Sequence, residues 1–220
     1  MATTNLYFVR HGQTQLNRYH RLQGWADSDL TSQGIADANQ AGLELAQINF
    51  TQAFSSDTIR AQHTANLILA ANQVSSITVA EPQAALREEN FGFFEGNDAG
   101  QTWNIIGGPH NAVTYGELIR QFSIEKTRDM IAAADPYGDA ETDQQFWDRL
   151  QPILDHISEH APANSNILVA SHGTLIRSLV SKYSDHDITA PIRNGSLTKI
   201  TVTDRQYQVA WYNQSSLPTD

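Results

Sequence analysis

Cysteine is absent from the 220-residue chain, which excludes disulfides, thiolate metal sites and a cysteine nucleophile. Long apolar runs are absent as well: none exceeds five residues (67–71), far below the roughly 18 that a membrane span requires. Lysine is scarce. Only Lys126, Lys182 and Lys199 stand beside 11 arginines, and these 14 cations face 24 acidic residues, for a formal charge of −10. Such a surface repels phosphate backbones and anionic lipid, so neither nucleic acid nor a membrane is an expected partner. The arginines therefore carry the interest, because a planar guanidinium grips an anion through parallel N–H groups. Residues 1–10 lack a basic start followed by an apolar segment, so no secretory leader is expected and the cytoplasm is the expected compartment.

What is present is an ordinary globular balance. Hydrophobic residues make up 40%, enough for a real core, and the length suits a single domain over residues 1–220. Residues 6–9 and 167–170 are short apolar runs rich in strand formers, ended by Arg10-His11-Gly12 and Ser171-His172-Gly173. Uninterrupted apolar strands are buried on both faces, which predicts a three-layer α/β/α sandwich around a mostly parallel sheet. Thr31 is placed to cap a helix running to about residue 47, with Ile35, Ala38, Gly42, Leu45 and Ala46 inward. Ser55 or Ser56 is placed to cap a second, with Ile59, Leu67 and Ile68 inward. Phe146, Leu150, Ile153, Leu154 and Ile157 mark a third at helical spacing, and residues 174–182 a fourth. Residues 196–203 and 207–211 alternate like an antiparallel pair across Asp204-Arg205. Residues 97–141 break this rhythm at Gly100, Gly107-Gly108 and Gly116, with a weak helix over 117–134, and read as an inserted lid.

Ligands collect at the carboxyl ends of parallel strands, which is where Arg10-His11-Gly12 falls. Arg10 offers a fork for phosphate oxygens, and a neutral His11 is a nucleophile at neutral pH. His172-Gly173 repeats the arrangement and opens a helix whose first N–H groups would face a bound anion. Arg60 falls in the first turn of the second helix, where a cation opposes the macrodipole by a few tenths of a kcal/mol. A bound anion reverses that sign; the plainer alternative is an ion pair with Asp57. Two histidines and two arginines on three strand-to-helix junctions can converge into a phosphate site.

The motifs then become recognisable. Arg10-His11-Gly12-Gln13-Thr14 with Asn17, Gln23-Gly24, Asp29-Leu30-Thr31 with Gly34, and Ser55-Ser56 with Arg60-Ala61 and Thr64-Ala65 come in order. Leu86-Arg87-Glu88 with Gly92, Glu95-Gly96 and Ser171-His172-Gly173 complete the set. The chain resembles the histidine phosphatase superfamily, also called phosphoglycerate mutase-like, over about residues 5–180. The resemblance implies phosphoryl transfer in two steps, with His11 attacking phosphorus and Glu88 protonating the leaving alkoxide. It further implies that Arg10, Arg60 and His172 hold the equatorial oxygens and that Asn17 donates to one of them. Gln23 and Gly24 would line the entrance, with Gly173 at the phosphate, and no metal or other cofactor is called for.

Several residues stand apart from the pattern. His63, one turn from Arg60, is expected to pack. Glu89 doubles the charge beside Glu88, and Glu95 is expected to fix a loop rather than do chemistry. His156-Ile157-Ser158-Glu159-His160 matches a zinc-protease string, but the apolar stripe centres on Ile157, so a structural reading is preferred. The expected activity is hydrolysis of a small-molecule phosphomonoester. The alternative within the family is a cofactor-dependent phosphoglycerate mutase, which needs cations for a second charged group. Residues 97–119 hold no Lys or Arg, leaving Arg21, Arg87 and Arg120 as nearest candidates. The apolar residues Phe93, Phe94, Trp103, Ile105, Ile106 and Tyr115 suggest a leaving group of little charge. The alternative from another class is a phosphate-ligand binding protein without turnover. The natural substrate and the oligomeric state are not legible.

Overall fold

The structure, a computed structural model, describes residues 3–218. A six-stranded sheet forms its centre: β1 (Thr3–Arg10), β2 (Phe50–Ser56), β3 (Glu81–Gln83), β4 (Asn166–Ser171), β5 (Leu197–Thr203) and β6 (Gln206–Gln214), in the order β3-β2-β4-β1-β5-β6. The first four strands in that order run parallel, and β5 and β6 close one edge antiparallel. The helices are α1 (Gln15–Arg18), α2 (Ser32–Glu44), α3 (Ile59–Ala71), α4 (Ala99–Gly107), α5 (Tyr115–Phe122), α6 (Ile124–Ala134), α7 (Asp143–Glu159) and α8 (Gly173–Tyr183).

Side chains on a strand alternate between faces, and the apolar runs of β1 and β4 feed two cores. Leu6, Phe8, Ile167 and Val169 pack with Phe146, Leu150, Leu154 and Ile157 of α7 and with Leu175, Ile176 and Leu179 of α8. Tyr7, Val9, Leu168 and Ala170 pack on the other face with Ala41 of α2 and with Ala65, Ile68 and Leu69 of α3. The expected three layers and mostly parallel sheet are present. Burial of apolar surface on both faces, worth about 25 cal/mol per Å², stabilises this central sheet.

Thr31 caps α2 as expected, its hydroxyl accepting from Gly34 N at 3.0 Å. The second helix corrects the reading. Ser55 and Ser56 end β2, Thr58 is the cap, and Ile59 is 60% exposed. The segment 97–141 is not irregular: it is three helices over a core of its own, built by Leu22, Phe91, Phe94, Trp103, Ile106, Leu118 and Ile131. The helix expected over 117–134 is two helices, divided at Ser123, whose φ of 76° no helix accommodates. No helix among the described residues is long and apolar enough to cross a membrane.

Candidate active site

Register places the key residues. Arg10 pairs with Ser171 across β1 and β4, so His11 and His172 leave the sheet side by side. His11 N donates to Ser171 O at 2.9 Å, and the two imidazole centroids lie 5.2 Å apart. Strand β2 runs beside β4, with Ser55 against Ala170, and its end launches α3 with Arg60 in the first turn. Arg60 Nη2 donates to His172 Nδ1 at 3.1 Å. Residues from three distant parts of the chain thus meet where three parallel strands stop.

The hydrogen bonds fix the tautomers. His11 Nδ1 lies 2.8 Å from Gly12 O, which can only accept, so Nδ1 carries the proton and Nε2 keeps its lone pair. His172 Nδ1 faces an arginine, which can only donate, so its proton sits on Nε2. Both imidazoles are buried, and both are held well below the ordinary range. For His11 the cause is burial, then Arg60 and Arg10; for His172 it is burial, then Arg60, His11 and Arg10. Both are therefore neutral at pH 7. Burial also pulls the Arg10 guanidinium down to about 10, still protonated, with Glu88 opposing the shift.

Arg60 is a fully buried cation in a helix's first turn, and its counter-ion is Asp27 rather than Asp57. Nη1 donates to Asp27 Oδ1 and to Ala26 O, each at 2.9 Å, and Nη2 to Gly24 O at 2.6 Å. Asp27 Oδ2 also accepts from Ile59 N at 2.5 Å, supplying the cap that Thr58 does not. One carboxylate thereby offsets both the guanidinium and the helix dipole. Asp57 pairs with Arg87 at 2.6 Å instead. The loop carrying Asp27 is clamped by Glu95, whose oxygens accept from Gly24, Trp25, Ala26 and Phe91 N–H groups at 2.8–3.0 Å.

Glu88 takes a place the sequence assigned to a ligand. Its Oε2 accepts from Thr174 N and its Oε1 from Leu175 N, each at 2.8 Å, so the protein's own carboxylate occupies the start of α8. Arg149 of α7 fastens the backbone there, donating to Arg87 O and Glu88 O at 2.9 Å and pairing with Glu141. Glu89 turns away into full burial against Arg128, 3.2 Å away, and burial raises its pKa to about 8. Glu88 and Glu89 are thus separated by environment, and Glu88 alone reaches the cavity.

That cavity has a volume of about 560 Å³ and is lined at one end by Arg10, Asn17, Gln23, Glu88 and Gly173. His11, Arg60 and His172 are buried beside this end. Asn17 Oδ1 accepts from Thr14 N and from Asn194 Nδ2, a residue the motifs did not flag. Gln23 lines the cavity, but its amide is spent on Thr14 Oγ1 at 2.5 Å and Ser28 Oγ at 3.0 Å. Gly24 does not line it. A Cβ there would lie 2.0 Å from Glu89 O, so this glycine permits a backbone crossing. Gly12 likewise abuts Gly34 O, 2.1 Å from a hypothetical Cβ. His63 corrects its reading, being exposed instead of packed; Thr64 is the residue that returns, accepting from Gly12 N at 3.1 Å and donating to Arg60 O at 2.8 Å.

Three N–H groups at this locus have no acceptor: Arg10 Nε, Arg60 Nε and His172 Nε2. An unmet buried donor costs about 1–3 kcal/mol. Three together, with two guanidiniums behind them, suit a tetrahedral oxyanion. Of the six apolar residues expected to face the leaving group, only Trp103 and Tyr115 line the cavity, joined by Phe91. Phe94 and Ile106 are buried in the 97–141 core, while Phe93 and Ile105 are 49% and 62% exposed. Arg21 and Arg177 also line the cavity, so the cations thought missing come from outside residues 97–119.

Comparison with known proteins agrees with this geometry. The family model of the histidine phosphatase superfamily (branch 1) matches residues 6–215, and the chain belongs to that superfamily. It is similar to the 2,3-bisphosphoglycerate-dependent phosphoglycerate mutase 2 of Gloeobacter violaceus, 32% identical over 82% of this chain and 75% of the relative. The crystal structure of a phosphoglycerate mutase from Bacillus anthracis superposes with a TM-score of 0.90 at 38% identity, covering 97% of this chain and 94% of that one. The alpha-ribazole phosphatase of Shigella flexneri shares the fold, at a TM-score of 0.69 and 21% identity, over 98% and 99% of the two chains. Superfamily members include phosphatases and mutases, and the names of the more similar relatives favour the mutase over the hydrolase expected from the sequence.

Proposed function

We propose that this chain transfers the phosphoryl group of a small phosphomonoester through a phosphohistidine on His11. The observation that carries the reading is the trio of unpartnered donors around a neutral imidazole with a free Nε2 lone pair. His11 Nε2 forms a bond to phosphorus as the ester P–O bond breaks, and Glu88, when protonated, gives its proton to the departing alkoxide. Arg10, Arg60 and the His172 Nε2–H hold the equatorial oxygens as charge moves onto them, and Asn17 Nδ2 adds a further donor. In the second step the acceptor hydroxyl or water attacks phosphorus and gives its proton to the Glu88 carboxylate, and the P–N bond breaks so that Nε2 recovers its lone pair. Residues 1–220 act in this reading as one domain, with 97–141 as its lid.

Phosphoglycerate is the substrate class that we place first. The relatives' names support it, and the cavity carries cations beyond Arg10, which a second charged group requires. The site also suits 2,3-bisphosphoglycerate, whose two phosphates and carboxylate need more cations than Arg10 alone, and Arg21 and Arg177 line the same cavity; that compound would supply the phosphoryl group that primes the histidine. Hydrolysis is the second reading, favoured by the aromatic wall of Phe91, Trp103 and Tyr115. The deciding experiment measures conversion of 3-phosphoglycerate to 2-phosphoglycerate with 2,3-bisphosphoglycerate present, beside phosphate release from p-nitrophenyl phosphate. Isomerisation much faster than release supports the mutase; release with no isomerisation makes the chain a phosphatase.

A further inference from the structure

The connection from α8 to β5, residues 184–196, forms neither helix nor strand, yet it meets the reacting end of the cavity at several points. Arg10 Nη1 donates to Ile192 O, and Gly195 N donates to Arg10 O at 3.0 Å. Between these contacts stands Asn194, whose Nδ2 donates to His11 O at 2.9 Å and to Asn17 Oδ1 at 3.2 Å. The segment is held from behind by Asn213 of β6. Asn213 Oδ1 accepts from Arg193 N at 3.0 Å, and its Nδ2 donates to Pro191 O at 3.4 Å. Asn194 is thus carried on a fixed loop, 183 residues along the chain from His11 and 177 from Asn17.

The partners decide which way both amides face. Thr14 N can only donate, so the atom of Asn17 that meets it at 3.3 Å is Oδ1. The two atoms that Asn194 meets, a carbonyl and that same Oδ1, can only accept, so its NH₂ faces them. Asn17 Oδ1 then has both lone pairs engaged, which leaves Nδ2 for the cavity that Asn17 lines. With the Thr14 bond alone, the Asn17 amide is free to turn about its soft terminal torsion.

The same nitrogen also clamps a peptide plane. His11 O and Gly12 N belong to one rigid unit. Asn194 Nδ2 donates to its oxygen, and Thr64 Oγ1 accepts from its N–H at 3.1 Å. That unit leads from the His11 ring to Gly12, whose O accepts from His11 Nδ1. One side chain therefore joins the backbone of the nucleophile to a donor facing the cavity.

We propose that Asn194 is a positioning residue, which fixes the Asn17 Nδ2–H relative to the His11 imidazole so that a phosphoryl group bound between them lies in line with Nε2. The proposal rests on the phosphoryl-transfer reading and adds to it a residue that does not itself line the cavity.

The test is a double-mutant cycle on the full-length protein. It is read by primed 3-phosphoglycerate isomerisation or by phosphate release from p-nitrophenyl phosphate, whichever the wild type turns over faster. Asn17→Ala and Asn194→Ala are each expected to lower kcat about tenfold, and Asn194→Ala leaves KM within about twofold. Because one acts through the other, the double variant is expected to lose about tenfold to thirtyfold, against the roughly hundredfold of independent sites. Asn194→Asp adds a readout that a merely structural residue would not move. Its carboxyl can donate to these acceptors only when protonated, so its kcat relative to wild type is expected to rise about threefold or more from about pH 7.5 to pH 5.5. Taking the ratio cancels the titration of Glu88 and of the substrate.

A hundredfold loss in the double variant, or an Asn194→Asp ratio that is flat with pH, overturns the link. Should Asn194→Ala fail to fold, Asn194→Ser takes its place in the cycle. A wild type that turns over neither substrate overturns the phosphoryl-transfer reading instead, and calorimetric binding of orthovanadate across the same four proteins then decides the link by the same non-additivity. Absence of vanadate binding to the wild type as well overturns both.

Discussion

The ends of β1 and β4 carry the same side chain in matched register, yet the two imidazoles are prepared for opposite tasks. At the end of β1 the Gly12 carbonyl accepts a hydrogen bond from the Nδ1–H of His11, which leaves Nε2 a bare lone pair. At the end of β4 an arginine occupies Nδ1 of His172, which leaves Nε2 a donor. Burial beside two guanidiniums keeps both neutral. In the proposed reaction one ring attacks phosphorus and the other holds its oxygens. Identity of residue and strand position do not decide the role; the group bonded to the far nitrogen does.

Substitutions at the two positions should therefore be unequal. His11→Ala is expected to lower turnover by about 10⁴-fold or more, with the circular dichroism spectrum unchanged. His172→Ala is expected to lower kcat by about 10²- to 10³-fold while still accumulating phosphoenzyme in a quenched reaction, and His172→Gln, which keeps a donor amide, recovers part of the loss. Equal losses, or a phosphoenzyme that disappears only in the His172 variant, would reverse the assignment. Asp27→Ala sharpens the comparison one bond further out. Without its counter-ion Arg60 no longer holds His172 in place, and kcat/KM should fall about tenfold, with about 1 kcal/mol of stability lost from the missing helix cap.

The smallest effect is thermodynamic. In the fold both imidazoles titrate well below the ordinary 6.5, so the unfolded chain binds more protons as the pH drops past that value. The stability they contribute is complete above about pH 6.5 and is lost below it, by about 1.4 kcal/mol per pH unit for each ring. Glu89 works in the other direction. Its buried carboxyl is raised from 4.5 to about 8, so stability declines as pH rises through that interval. Unfolding midpoints across pH 5–8 should show a shallower acid slope in His172→Gln, and Glu89→Gln should remove the decline toward pH 8 (about 1.4 kcal/mol per unit).

Much of the candidate site was legible in the sequence. Apolar runs located β1 and β4, whose ends carry His11 and His172; Arg60 stood out as a cation in a helix's first turn, and Glu88 came only with the family resemblance. What escaped depends on pairings that only the folded chain makes. Asp27 is an ordinary loop acid until its loop crosses α3, and Arg149 is one of several polar residues on α7 until it meets the backbone of residues 85–88. The segment 97–141 misled because its glycines punctuate helices that pack on each other instead of on the sheet. Arg177 did leave a trace: it lies one helical turn from Gly173 and Thr174, the face of α8 that the His-Gly motif already pointed at the site.

Rapid acid-free quenching of the enzyme with a labelled phosphomonoester, followed by peptide mapping, addresses the assignment of His11 most directly. An acid-labile, alkali-stable label is expected on the peptide containing Arg10-His11-Gly12, absent in His11→Ala. Turnover without such a label, or a label on His172, would contradict it.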